Sequence, residues 1–157
     1  MCNAPPVKNI SSTAAPWGIA AFRIVVGFLF LCHGLSTLTG WPVAPWGGNT
    51  SSWTDWPGGW AATIELVAGT LIIIGLGTRA AAFIASGSMA VAYFWKHQPD
   101  GLLPIQNEGD SVVLFCWSLL LLVFIGPGAA ALDNLRRAKA TSSEVADEPV
   151  AVGTSSP

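Results

Sequence analysis

The hydrophobic positions of this chain are gathered into four long runs, separated by polar connections rich in glycine and proline. A membrane-spanning helix needs about 20 apolar residues, within a range of about 17 to 25. The first two runs meet that length, and the third reaches it if polar residues form its interfacial end. The pattern therefore predicts an all-α protein, a four-helix transmembrane bundle. The runs extend from about Trp17 to Leu38, Gly58 to Gly77, Ala80 to Trp95, and Ser111 onward.

The fourth run meets a strong helix-breaking signal. It is continuously apolar from Val112 to Ile125 and is followed by Gly126-Pro127-Gly128. We expect a stop or a sharp kink near Pro127, the alternative being a kinked helix that continues to Leu132. This divides the chain into an N-terminal segment (1–16), a membrane domain (17–137) and a tail (138–157). The tail is rich in Ser, Ala, Pro and Glu, which predicts disorder.

Basic residues flank the runs unevenly, which predicts an orientation. Cytoplasmic connections of membrane proteins carry an excess of Lys and Arg, and the 39–57 connection has neither. We therefore expect both termini and the short second connection to be cytoplasmic, in a multi-pass protein of a plasma membrane such as the bacterial inner membrane. The basic residues that indicate this are Lys8, Arg79, Arg136, Arg137 and Lys139.

Composition supports a membrane protein and excludes some partners. Apolar residues make up 52% of the chain and charged residues 10%, whereas a soluble domain carries about 25% charged residues. The sequence has no basic face of the kind a nucleic acid requires. The three cysteines have no metal or redox spacing, and two histidines near the outer ends of their helices give only weak support for haem. We predict no metal site.

Two ionisable residues lie inside the apolar runs. Arg23 and Glu65 are each followed by a glycine four residues later, so helical spacing puts charge and small residues on one face. Charges at membrane depth are expensive and usually indicate a functional path or a buried pair. At about 1.5 Å per residue, His33 lies nearer the depth of Glu65 than Arg23 does. A Glu65–His33 pair, a Glu65–Arg23 pair and purely structural roles all remain open.

Further polar residues gather toward the predicted outer surface. Asp110 begins the fourth helix, where a carboxylate suits the positive end of the helix dipole, so capping and site contact are alternatives. The 39–57 connection also holds several tryptophans, which predict either an interfacial belt or an aromatic cap and docking surface. The polar residues are Lys96, His97, Asn107, Glu108 and Asp110, and the tryptophans are Trp41, Trp46, Trp53 and Trp56.

These residues, taken in order, resemble the DoxX family of small four-helix membrane proteins. The resemblance covers about residues 17–137. The most specific piece is Pro104-Ile-Gln-Asn107-Glu-Gly109-Asp110, which is followed by a helix, Gly126-Pro127-Gly128 and Leu132-Asp133. The other matching pieces are Arg23-x-x-x-Gly27, Phe30-Leu-Cys-His33-Gly34, Glu65-x-x-x-Gly69 and Gly75-Leu-Gly-Thr78-Arg79-Ala-Ala81. Thr37 stands where the family often has lysine, and Asp110 where it usually has glutamate.

The resemblance implies a membrane subunit associated with an oxidoreductase system, with quinone as the cofactor in some cases. The partners implied are the bilayer and soluble redox enzymes or other membrane subunits. We assign hypothetical proton handling to Glu65 and His33, while a non-enzymatic scaffold or stress-response protein and a small transporter remain alternatives. The binding candidates are Arg23, Thr37, His97, Asn107 and Asp110.

Overall fold

A computed structural model describes residues 10–45 and 48–146, and within that part the protein is all-helical. Trp46 and the 147–157 part of the predicted disordered tail lie outside the described residues. The α-helices are α1 (Ile10–Thr39), α2 (Gly58–Ile74), α3 (Thr78–Ala92), α4 (Asp110–Ile125) and α5 (Leu132–Ala146). A π-helical turn (Tyr93–His97) and a short 3₁₀ turn (Gln98–Asp100) continue α3.

The first four helices pack antiparallel in a ring. Helix α1 packs mainly on α2 and α3 mainly on α4, while α2 contacts α3 and α1 contacts α4. Between α1 and α2, Gly27 faces Gly69 and Ile72, and Gly34 faces Ala62. Residue numbers rise along α1 as they fall along the facing part of α2, so the two helices are antiparallel. The short turn between α2 and α3 makes that pair antiparallel as well. One end of the ring therefore holds that turn, and the other holds the two long connections.

The core of the ring is apolar, and the part that α3 contributes consists mostly of small residues. Alanines there let α3 approach its neighbours closely, while larger side chains from the other helices fill the centre. The buried cluster comprises Val26, Phe30, Ala68, Ile72, Ala81, Ala82, Ala85, Met89, Leu119 and Leu122.

Helix α4 stops at Ile125, as the Gly-Pro-Gly signal predicts. Gly126 and Gly128 both have positive φ, of 79° and 70°, a region that glycine reaches without steric strain. The chain then turns across the end of the bundle and begins a new helix, α5. The disorder predicted from Ala138 is wrong for residues 138–146, which are helical. Alanine, arginine and lysine are strong helix formers, and they extend the helix into the Ser-rich segment.

Helix α1 also begins earlier than the apolar run. Its first residue is Ile10, so Pro16 lies inside the helix. The carbonyl of Pro16 accepts a hydrogen bond from the backbone N–H of Ala129, at 2.9 Å. The segment after α4 therefore contacts the first turns of α1.

Membrane-spanning character differs among the helices. Residues Ala14–Thr39 of α1 form a helix long and apolar enough to cross a membrane, whereas Gly58–Ile74 and Asp110–Ile125 are apolar but shorter, with 17 and 16 residues. The outward faces of the ring expose many large apolar side chains. Among these are Val25, Phe28, Val67, Phe83, Ile84, Val91, Leu114, Trp117 and Phe124.

Candidate functional site

The Glu65 side chain is buried where α1 and α2 approach most closely. A Cβ atom placed on Gly34 would lie 3.0 Å from Glu65 Cβ and 2.8 Å from the Ala62 carbonyl oxygen. The absence of a side chain at Gly34 therefore lets α1 cover the glutamate. Glu65 is 8% exposed, and within the described residues no hydrogen bond or ion pair reaches its carboxyl group. A buried carboxyl group without a partner is costly in apolar surroundings, so it is the group that most needs a functional explanation.

Arg23 is buried as predicted, but its partners lie at the end of the bundle. It is 1% exposed and donates to the carbonyl oxygens of Pro127, at 2.9 Å, and Ala130, at 3.1 Å. The guanidinium lies beside Gly75, ten residues along the chain from Glu65, or about 15 Å at the rise of α2. Glu65 and Arg23 therefore do not pair, and the arginine holds the segment after α4 against α1.

His33 lies on the same level as Glu65 but belongs to a different interface. Its imidazole packs edge-on against Phe115 of α4, with ring centroids 5.3 Å apart and planes at 83°. Phe115 also contacts the fully buried Phe30, at a centroid distance of 5.6 Å. The His33 side chain is exposed at the side of the ring, and no hydrogen bond joins it to Glu65 in the described part of the chain. His33 and Glu65 therefore lie at a similar level of the bundle, but the predicted Glu65–His33 pair is not formed among the described residues.

The connection between α3 and α4 is organised around Asn107. This side chain is 5% exposed; its Nδ2 donates to the Gly101 carbonyl at 2.7 Å, and its Oδ1 accepts from the Gly109 N–H at 2.9 Å. Tyr93 and His97 contact it through the tyrosine hydroxyl and through a 2.9 Å bond between His97 Nδ1 and the Asn107 carbonyl. His97 and Asn107 are thus brought together as predicted, in a network that fixes the loop.

Among the described residues, no hydrogen bond or ion pair joins the remaining predicted binding residues to Glu65. The Thr37 carbonyl accepts from the Ser51 N–H at 2.8 Å, which ties the first long connection to α1. Asp110 is the first residue of α4 and is exposed, with no side-chain capping bond. Its charge still lies at the favourable end of the helix dipole. The tryptophan-rich connection reaches across to the end of α3, where Trp56 packs edge-on against Trp95 at 6.4 Å.

Asp133 carries a structural role that the sequence analysis did not assign. Its carboxylate accepts from the backbone N–H groups of Gly77, at 2.8 Å, and Thr78, at 3.1 Å, so a residue of α5 caps the start of α3. Burial acts to raise the pKa of Asp133, but these N–H groups outweigh it and, with the nearby charge of Arg136, lower the pKa below its ordinary value of 3.8. The Leu132-Asp133 motif was the available signal, because Asp is a favoured capping residue.

Comparison with known proteins agrees with the helical architecture. Residues 18–98 match the model of the DoxX family. The chain is 41% identical over 122 residues to an uncharacterized protein of Haemophilus influenzae, a match that covers 76% of this chain and 90% of that protein. No solved structure matches it. Because the family model matches more than half of the chain, this protein belongs to the DoxX family of small integral membrane proteins.

Proposed function

We propose that this protein is a four-span membrane subunit of a quinone-linked redox system, in which Glu65 exchanges a proton with a quinol. The observation that carries the proposal is the Glu65 carboxyl group itself. It lies against Gly34, belongs to a residue that is 8% exposed, and has no hydrogen-bond or ion-pair partner among the described residues. Ionisable groups at membrane depth that the fold does not use are the usual components of proton relays.

The proposed chemistry requires two proton acceptors from this chain. When a quinol is oxidised, it gives up its hydroxyl protons together with an electron pair. The carboxylate of Glu65 accepts one of those protons, and a redox partner protein takes the electrons. Proton transfer by a positioned carboxylate is ordinary general base catalysis. His33, which is exposed on the α1–α4 side at the same depth, is the second proton acceptor in this scheme.

The surface of the ring supports placing it in a membrane. Soluble monomers rarely expose contiguous apolar patches beyond a few hundred Å², yet each of the first four helices exposes large apolar residues outward. Helix α2, with 17 residues, is about 26 Å long, close to the hydrocarbon thickness of about 30 Å. Thr78–Ala92 and the π-helical turn Tyr93–His97 form one uninterrupted helical rod. All four would span a bilayer together, in the multi-pass arrangement of an inner-membrane protein.

The test is the Glu65→Gln substitution in protein purified with its native lipids. We expect wild-type protein to retain a quinone that mass spectrometry detects, and the variant to retain several-fold less. Infrared difference spectra on adding quinol should show a carboxyl band in the wild type that the variant lacks. Glu108→Gln is the matched control, because it removes a carboxylate from an exposed loop.

Stability distinguishes this role from a structural one. Glu65 has no protein partner to lose among the described residues, so Glu65→Gln should leave the unfolding midpoint unchanged or raise it. A variant that keeps its quinone, or wild-type protein that never carries one, would refute the quinol assignment. A large loss of stability in the variant would instead show that the glutamate holds the bundle together.

The bonds of Arg23 favour a second candidate, a non-enzymatic membrane scaffold. Both of its hydrogen bonds are internal and bind the segment after α4. In a scaffold, the buried charges serve assembly alone, and purified protein carries no quinone while its accumulation in membranes depends on Arg23. Comparing quinone content with protein accumulation in the Arg23 and Glu65 variants separates the two functions.

A further inference from the structure

Helix α5 leaves the bundle from a fixed position. The backbone N–H of Asp133 donates to the Gly75 carbonyl at 2.9 Å, and its carboxylate binds the first N–H groups of α3. These bonds hold the first turn of α5 where α2 ends and α3 begins. In a membrane-embedded ring, that level is the boundary between hydrocarbon and lipid headgroups.

A cleft of about 560 Å³ opens between α5 and the end of α2. Its lining combines apolar side chains with cationic and hydroxyl groups. Leu132 and Leu135 are 41% and 62% exposed, so the described part of the chain leaves these two leucines of α5 uncovered. The lining includes Leu76, Leu132, Leu135, Arg136, Lys139 and Ser142.

The charged residues that line this cleft, Arg136 and Lys139, are both basic. Arg136, Arg137 and Lys139 lie within four residues of each other and are exposed, and among the described residues none forms an ion pair. Asp133 and Glu144 are the acids of α5, and the Asp133 carboxylate is bound to the backbone of α3. Arg136 lies close enough to Asp133 to help lower its pKa, yet among the described residues no hydrogen bond or ion pair engages the Arg136 guanidinium.

We propose that this cleft binds the headgroup of an anionic phospholipid and that α5 lies on the membrane surface. Helices with exposed leucines and a basic face lie in the interface of anionic membranes, and a guanidinium matches phosphate geometry in a bidentate manner. The leucines contact the upper acyl chains, while Arg136 and Lys139 bind the phosphate. This inference depends on the four-span placement proposed above and is independent of the quinone assignment.

The test compares cations inside and outside the cleft. The protein is reconstituted in nanodiscs of phosphatidylcholine and phosphatidylglycerol in equal parts, and native mass spectrometry measures which lipids stay bound. A juxtamembrane cation contributes about 1 kcal/mol of attraction to anionic lipid, so Arg136→Gln and Lys139→Gln should each lower retained phosphatidylglycerol about fivefold. Arg137 does not line the cleft, so Arg137→Gln is the matched control for loss of charge on the same helix.

The comparison of Arg137→Gln with the two cleft substitutions distinguishes a lipid site from general charge attraction. A smaller effect of Arg137→Gln than of the two cleft substitutions supports a defined lipid site. Equal effects of all three would refute the cleft and leave only a diffuse surface attraction, and no preference for phosphatidylglycerol in the wild type would refute the proposal outright. Leu135→Ser should also weaken retention, since the acyl contact is lost. Glu65→Gln should leave the lipid preference intact, which separates this inference from failure of the quinol role.

Discussion

Arg23 and Glu65 show that two buried charges of one bundle have different physical roles. Arg23 donates hydrogen bonds to the carbonyls of Pro127 and Ala130, whereas the Glu65 carboxyl group forms no hydrogen bond or ion pair within the described residues. The sequence predicts that both face the interior, because glycines share their helix faces. It does not predict their partners, since the carbonyls that bind Arg23 belong to a loop more than a hundred residues away. The helical periodicity of the sequence therefore predicts that these side chains face the interior. Their hydrogen-bond partners can be identified only in the folded structure.

Replacing Arg23 should destabilise the bundle strongly. Arg23→Met keeps a long side chain but removes both hydrogen bonds and leaves two carbonyls without their donor. Hydrogen bonds from charged groups contribute about 1.5–3 kcal/mol each, so we expect a loss of about 3 kcal/mol or more in the free energy of unfolding. The measurement is denaturant unfolding in mild detergent. Arg79→Met is the control, because Arg79 is exposed and makes one 3.4 Å bond to Phe124; equal losses in the two variants would contradict the role assigned to Arg23.

At the scale of elements, glycines set the distance between α1 and α2. A Cβ on Gly27 would come within 3.0 Å of Ile72 and Ile73 side-chain atoms, and one on Gly69 within 3.0 Å of the Gly27 carbonyl. The spacing of charge and glycine in the sequence predicts this close packing correctly. The cap from Asp133 was not predicted, because its carboxylate binds backbone groups 55 and 56 residues earlier in the chain. The π-helical turn at Tyr93–His97 was not predicted either.

Gly34→Ala should push these helices apart. The added methyl group would lie 2.8 Å from the Ala62 carbonyl oxygen, and backbone cannot move away as a flexible side chain would. Overpacking of this kind costs about 1–3 kcal/mol, and the shift should also expose Glu65. Gly18→Ala is the matched control on the same helix, since a Cβ atom added there would have no atom within 4 Å, and alanine there should be neutral or stabilising. Unfolding midpoints of both variants test this, and similar values would contradict close packing at Gly34.

The cap that joins α5 to α3 should make stability depend on pH. The pKa of Asp133 is lowered in the folded protein, so its contribution is fully present above the ordinary value of 3.8 and is lost as the pH falls through the lower folded value. Removing a cap of this kind costs about 1 kcal/mol. We expect Asp133→Ala to lower the unfolding midpoint at neutral pH. The variant should then lose less stability than the wild type as the pH is lowered into the acid range. Unfolding midpoints measured from neutral pH down to acid test both effects; Asp100→Ala, in an exposed turn, is the control, and an unchanged acid profile in Asp133→Ala would contradict the cap.

At the scale of the whole molecule, hydrophobic patterning predicts the number and order of the apolar helices. It does not predict how the end of the bundle closes. The segment from Gly126 to Asn134 binds α1 through Ala129, and it binds the end of α2 and the start of α3 through Asp133. A bond from Asn134 Nδ2 to the Gly128 carbonyl lies within the segment itself. The Gly-Pro-Gly signal shows that a helix stops there, but only the assembled ring places these partners together. The end of the ring that this segment covers is also the end that carries Arg79 and the basic residues of α5.

This asymmetry between the two ends predicts the orientation in the membrane. Exposed arginines and a lysine lie in the first turn of α3 and in α5, whereas the 39–57 connection carries none. The end with α5 should therefore face the cytoplasm. Single cysteines at Thr141 and Ser52, in a background without other cysteines, can be probed with an impermeant maleimide. We expect Ser52→Cys to react from outside intact cells and Thr141→Cys only in inside-out vesicles. Three helices, α2 to α4, separate Ser52 from Thr141, so the two positions lie on opposite sides if each helix crosses the membrane once. Labelling of both cysteines from the same side would contradict this arrangement.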